Sequence, residues 1–218
     1  MTQFNRTGNF LIPAGKQNVK AAAFIAHPDD ETIWMGGTLL ANKDWGWKIF
    51  VNTYSESGNR GKEFISAINK YKYQYGVTNL EVQFTEIMSD TQDSSRLMED
   101  EINHKLDQID FSSFDIIFTH NIDGEYDGAP NHKILGEYFQ SKKLNIWHFL
   151  CPAIQNPREK QVGQYIETVH LSPTVLKQKY LIFQYSHFSQ HYLWTGFEDF
   201  MTFEFQSGIE MFTRYNND

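Results

Sequence analysis

The chain has a single cysteine, Cys151, in 218 residues. An intramolecular disulfide is therefore excluded, and so is a cysteine-rich structural zinc site. One cysteine fits a reducing compartment, and a cytoplasmic location is the expectation. Positive charge is also scarce: 19 Lys and Arg face 27 Asp and Glu, for a formal net charge of −8. Nucleic-acid affinity rests on neutralising phosphates, so an acidic chain without a basic patch is a poor candidate for it. No apolar stretch is long enough to span a bilayer. The opening residues, Met1-Thr2-Gln3-Phe4-Asn5-Arg6, lack the apolar core of a signal peptide. Internal repeats and low-complexity linkers are missing too. The remaining composition, 40% hydrophobic and 21% charged, is globular and long enough for one domain over 1–218, with 1–18 an irregular lead-in.

Hydrophobic periodicity alternates strands with helices. Val19 to Ala26, Lys48 to Thr53, Leu80 to Phe84, Phe114 to Thr119 and Leu144 to Leu150 read as strands. Glu31 to Asn42, Lys62 to Tyr75, Arg96 to Ile109, His132 to Gln140 and Pro173 to Tyr185 read as helices. Asp30 is a natural N-cap for the first helix. Gly76 is a natural stop for the second. Beyond Tyr185, the stretch up to Tyr215 mixes strand and turn signals. The alternation implies an α/β fold: a Rossmann-like, mostly parallel sheet with helices on both faces.

The chemistry concentrates in Ala26-His27-Pro28-Asp29-Asp30-Glu31. This hexapeptide sits where a strand ends and a helix begins, the ligand-binding edge of an α/β sheet. His27 and Asp30 suit a divalent ion, and Asp29 between them can act as a base. Alone, a His and an Asp with two residues between them are better explained by a helix cap and a loop histidine. The strand Phe114 to Thr119 changes this reading. It ends at His120, and a Gly-rich loop then leads to Pro130-Asn131-His132 at a helix start. Parallel strands bring His132 toward His27 and Asp30. Two histidines and one carboxylate leave a position open, the mark of a catalytic rather than a structural ion.

These residues resemble the PIG-L/LmbE-like family of zinc-dependent N-deacetylases. The likeness lies in Ala26-His27-Pro28-Asp29-Asp30-Glu31 with Gly36-Gly37, Thr119-His120-Asn121, Gly124-Glu125-Tyr126 and Pro130-Asn131-His132. Arg60, Glu63 and Gly76 match a weaker Arg-x-x-Glu helix pattern, and Tyr185 with Ser189-Gln190 a late tyrosine and Ser-Gln pair. The resemblance implies a metal-dependent hydrolase that removes an acetyl group from an N-acetylated amino sugar, N-acetylglucosamine-like, or its conjugate. It implies Zn²⁺, or another divalent transition metal, on His27, Asp30 and His132. It makes Asp29 the general base. Arg60 and Tyr126 are the expected substrate contacts, with a small-molecule sugar as the partner.

One departure stands out. Many members carry a histidine three residues before the last ligand, thought to act as acid or oxyanion donor. Here that place holds Ala129, and the loop is one residue longer, with Asp127 after Tyr126. A methyl group can donate no proton. His120 is the first-ranked substitute acid, ahead of Tyr126 and Asp127. The alternative is a catalytically weak or silent sugar-binding protein of the same fold. Elsewhere, His187 and His191 have a metal-pair spacing but no acid partner in the pattern. Trp34 fits a sugar pocket or a buried helix face, and Gly36-Gly37 fit close helix packing.

Overall fold

The computed structural model describes residues 4–7, 10–13, 18–54, 56–88, 96–125, 128–151, 165–191 and 205–215. The parallel strands are β3 (Lys20–Ile25), β4 (Gly46–Val51), β5 (Leu80–Phe84), β6 (Ile116–Thr119) and β7 (Ile146–Leu150). Two further strands, β8 (Tyr165–His170) and β9 (Ile209–Arg214), add antiparallel at one edge. The sheet order is β5-β4-β3-β6-β7-β9-β8. From β3 the chain steps outward to β4 and β5, then crosses back to β6 and β7 on the other side. The order therefore reverses between β3 and β6, and the crevice at such a switch point is where α/β sheets bind ligands.

Among the described residues five α-helices cover the sheet: α1 (Asp30–Ala41), α2 (Asn59–Asn69), α3 (Arg96–Leu106), α4 (Pro130–Gln140) and α5 (Pro173–Ser186). Residues of α1, α2 and α5 pack on one face, with Trp47, Phe118 and Phe149 beneath them. Those of α3 and α4 pack on the other, over Phe24, Phe50 and Ile117. The buried strands read as near-continuous apolar runs because both faces are covered. Among the described residues no helix is long and apolar enough to cross a membrane.

The structure departs from the sequence reading in three places. Residues 1–18, expected to be irregular, include an antiparallel pair, β1 (Phe4–Thr7) with β2 (Phe10–Pro13). Phe10 explains its anchorage: it is fully buried, with its ring edge-on to Phe118, Trp147 and Phe212. The second helix starts earlier, at Asn59, and its last turn before the expected stop at Gly76 (φ +82°) is a π-turn, Lys70–Gln74. The first helix is capped by Asp29, not Asp30, and without a side-chain capping bond. Both carboxylates are drawn elsewhere, as the site shows. The close packing expected at Gly36-Gly37 is present: a Cβ would lie 2.6 Å from Tyr71 Oη at Gly36 and 2.3 Å from Leu171 at Gly37.

Candidate metal centre

The β3–α1 connection is a tight turn fixed on both sides. Asp29 N–H donates to His27 O, and Thr32 and Ile33 N–H donate to Asp29 O. The strand end is tied to β4's continuation, where Asn52 Nδ2 donates to Ile25 O at 2.9 Å and Thr53 Oγ1 to Ala26 O at 2.6 Å. His132 arrives on the first turn of α4, behind Pro130 at the helix start. Gly136, one turn on, lets α4 lie against the loop after β6. A Cβ there would lie 2.4 Å from Asn121 C and 2.5 Å from Ile122 N. Backbone cannot move aside cheaply, so Gly136→Ala is expected to cost about 1–3 kcal/mol. It should also weaken ion uptake, because α4 carries His132. Urea unfolding with and without Zn²⁺ checks both effects.

The three predicted ligands come together. His27 Nδ1 lies 3.0 Å from His132 Nε2 and 3.7 Å from Asp30 Oδ2, and His132 Nε2 lies 3.6 Å from Asp30 Oδ2. Tetrahedral zinc with bonds of roughly 2.0–2.2 Å separates its donor atoms by about 3.4 Å. The observed triangle brackets that spacing. Two imidazole nitrogens 3.0 Å apart also require a proton or a cation between them. The residues present fit a divalent ion with an open position.

Two of the three candidate ligands, Asp30 and His132, are held from behind. Asp30 Oδ2 accepts from His27 N–H at 2.7 Å, and Oδ1 accepts from Trp34 Nε1 at 3.2 Å. Trp34 thus uses its buried position to orient a ligand. Burial works against the Asp30 charge, but His132, His120 and His27 outweigh it and hold the carboxyl well below its usual range. His132 Nδ1 lies 2.6 Å from Glu125 Oε2. A carboxylate only accepts, so the ring proton sits on Nδ1 and Nε2 presents a lone pair.

Asp29 is buried in a separate clamp. Its Oδ1 accepts from Arg60 Nη2 at 3.0 Å. The Gln190 amide, oriented to suit both charged partners, donates to Asp29 Oδ2 at 3.2 Å and accepts from Arg60 Nε at 3.1 Å. Arg60 Nη1 donates to Tyr54 Oη at 2.8 Å, and the guanidinium lies 4.5 Å from the Tyr54 ring centre. Burial opposes the Arg60 charge, yet Asp29 and then Tyr54 raise its pKa further. Glu63 accepts from Ser189 N–H and Oγ–H, which seats the turn carrying Gln190.

His120 lies beneath Asp30, with no exposed surface. Its Nδ1 is 2.9 Å from Glu125 Oε2; its Nε2 faces Asp30 Oδ2 at 3.1 Å and the Ala26 N–H at 3.0 Å. Burial disfavours a charged ring, but Glu125 and Asp30 outweigh it and raise the pKa to about 10. Glu125 is in turn held at about 2 by His120 and His132, against the effect of its burial. His148 goes the other way, pushed down to about 4 by burial, and donates to His120 O. Tyr126 and Asp127 lie outside the described residues. His187 faces Glu31 at 3.3 Å. Among the described residues the metal-competent groups are His27–Asp30–His132 and His120–Glu125–His132.

Sequence reasoning missed the part played by Glu125, Tyr54 and Gln190 in this geometry. Glu125 carried one usable signal: it stands five residues after one histidine and seven before another in a Gly-rich loop.

A doubly wound α/β domain with a candidate two-histidine, one-aspartate ion site at its switch point defines the class. The model of the PIG-L family, described as GlcNAc-PI de-N-acetylase, matches residues 22–141, more than half the chain. The protein belongs to that family. It is 28% identical over 164 residues to an uncharacterized protein of Acanthamoeba polyphaga mimivirus, covering 63% of this chain and 69% of the viral one. Its fold resembles that of teicoplanin deacetylase in its zinc-inhibited form. There the TM-score is 0.66 and the identity 13%, over 92% of this chain and all of the other. It also resembles N,N'-diacetylchitobiose deacetylase from Pyrococcus horikoshii, with TM-score 0.56 and 18% identity over 90% and 83% of the two chains.

Proposed function

We propose that this protein is a metal-dependent hydrolase that removes an acetyl group from the nitrogen of an amino sugar or sugar conjugate of the N-acetylglucosamine type. The observation that carries this is the ligand triangle of His27, Asp30 and His132 beside a separate, clamped carboxylate, Asp29. A site that only stored an ion would have no use for the second carboxylate. The family's description and the two deacetylases of like fold support an acetamide as the substrate. A reducing cytoplasm suits the buried Cys151.

His27, Asp30 and His132 would hold the ion, Zn²⁺ in the first instance. When bound, the ion supplies Lewis acidity toward a water and toward the acyl oxygen. Asp29 takes the proton from the attacking water as the new carbon–oxygen bond forms. The carbon–nitrogen bond then breaks, and Asp29 passes that proton to the departing amine. Acetate and a free amino group result. Arg60 and Gln190 keep Asp29 aimed throughout. Arg60 has five N–H donors and spends three on Asp29, Tyr54 and Gln190. The other two are its means of gripping a substrate hydroxyl or phosphate. Tyr126 is assigned a second substrate contact.

The competing reading is a sugar-binding protein that has lost turnover. Ala129 favours it, since it stands at the start of α4 where many relatives keep an acid histidine. An acetate-release assay on the Zn²⁺-loaded full chain decides between them. The panel is N-acetylglucosamine, diacetylchitobiose and lipid-linked N-acetylglucosamine. Release from at least one is the expected result. Sugar binding without release from any would establish the competing reading.

A further inference from the structure

We infer that Glu125 and His120 form a buried brace that sets two of the three ion-binding side chains. His120 and Glu125 then serve to hold the metal centre rather than to donate a proton. The inference rests on the proposed metal site but not on the proposed substrate.

The brace is a chain of contacts that starts and ends on ligands. Glu125 Oε2 accepts from His132 Nδ1 at 2.6 Å and from His120 Nδ1 at 2.9 Å. His120 reaches on to Asp30 Oδ2 with its other nitrogen, at 3.1 Å. Moving any one member therefore moves both His132 and Asp30. The two rings stack with centroids 3.8 Å apart and planes 23° from parallel, so neither can rotate alone. His120, Glu125, Asp30 and His132 are all buried.

The brace is itself anchored. Glu125 Oε1 accepts from the Asn121 N–H, and Tyr215 Oη donates to Asn121 Oδ1 at 3.1 Å. His148 Nδ1 donates to His120 O at 2.7 Å. Glu125 adopts φ +47° directly after Gly124 at φ +70°. A glutamate seldom takes a left-handed backbone, and such geometry persists only where the surroundings fix it. Here it aims the carboxylate inward at the two histidines. An acid that serves a substrate must reach it. The ring of His120 has no exposed surface, and both its nitrogens face protein groups. A carboxylate behind a ligating histidine fixes its tautomer and direction, and losing such a partner typically weakens metal binding about 10–100-fold. Glu125 does this for His132, and through His120 for Asp30.

The test measures Zn²⁺ affinity of the full chain by chelator competition, independently of turnover. Glu125→Gln and His120→Gln are each expected to weaken binding about 10–100-fold. The double variant should lose less than the product of the two, because both act along one chain of contacts. The visible absorption of the Co²⁺-loaded protein should change in both variants and stay unchanged in Asp29→Asn. Unaltered Zn²⁺ affinity in folded Glu125→Gln and His120→Gln, with acetate release reduced, would overturn the brace and make His120 an acid. Collapse of both metal-free variants in thermal unfolding would also overturn it, assigning the ring to fold stability. Failure of the unaltered protein to bind Zn²⁺ would overturn the inference and the metal site together. Zn²⁺ binding without turnover of any N-acetyl sugar would leave the brace standing and sink only the substrate reading.

Discussion

Asp29→Asn is expected to lower acetate release by about 10²–10⁴-fold, the usual worth of a positioned acid or base, with the ion still bound. The substitution changes one atom and keeps the shape. Asn can still accept from Arg60 with its oxygen. It cannot take a proton from water, and its amide nitrogen would face the Gln190 amide that now donates to Asp29 Oδ2. The loss should therefore fall on kcat more than on KM, because the substrate contacts assigned to Arg60 and Tyr126 persist. The Asp29 carboxylate is bonded to Arg60 and Gln190 rather than to the ligand triangle, and Asn keeps the backbone N–H that donates to His27 O, so metal content should match that of the unaltered chain. A steady-state acetate assay paired with metal analysis gives both readouts. Full turnover in Asp29→Asn would remove it from the base role. Loss of metal along with activity would mean that it acts as a ligand instead.

The part of this centre that was legible in the sequence is the part written in contiguous residues. His27, Asp29 and Asp30 lie within four positions at a strand end, where periodicity alone locates the sheet edge. His132 was legible because a strong strand and a helix start frame its loop, and parallel topology brings the two edges together. The supporting residues carry no such local signal. Glu125 sits among Gly and Asp in a loop whose composition reads as solvated, and only the fold turns it inward. Gln190 reaches Asp29 from the far end of α5, 161 positions later in the numbering. The same limit applied to the edge strands. β8 and β9 pair antiparallel across a long intervening segment, and their half-buried pattern separates poorly from turns. The capping role expected of Asp30 gave way for a related reason. A carboxylate at a helix start meets the chain's own N–H groups first, but three histidines brought from three separate segments bind it better.

The second large effect concerns stability: Lys179→Met is expected to cost about 3–5 kcal/mol, the usual result of removing one partner of a buried ion pair. Lys179 on α5 and Glu210 on β9 are both fully buried, with Nζ 2.8 Å from Oε1. Glu210 also accepts from the backbone N–H of Gly37 and Thr38 and from Thr38 Oγ1, each at 2.7 Å. Its carboxylate thus joins the middle of α1, the helix that begins with Asp30, to β9 and α5. Methionine matches the lysine stem in length and leaves the Glu210 charge in the core with hydrogen bonds but no cation. At about 2–4 °C per kcal/mol for a chain of this size, the thermal midpoint should fall by roughly 6–20 °C. Replacing both residues with apolar ones should cost less than the sum of the two single changes, since no isolated charge then remains. It would still lose the three donors of α1 as partners of Glu210, so it should not regain the original midpoint. A shift under about 2 °C in Lys179→Met would mean that the three α1 donors alone hold the Glu210 charge. In that case α1 would be fixed by hydrogen bonds from its own backbone and from the Thr38 hydroxyl, and the metal centre at its start would owe nothing to the ion pair.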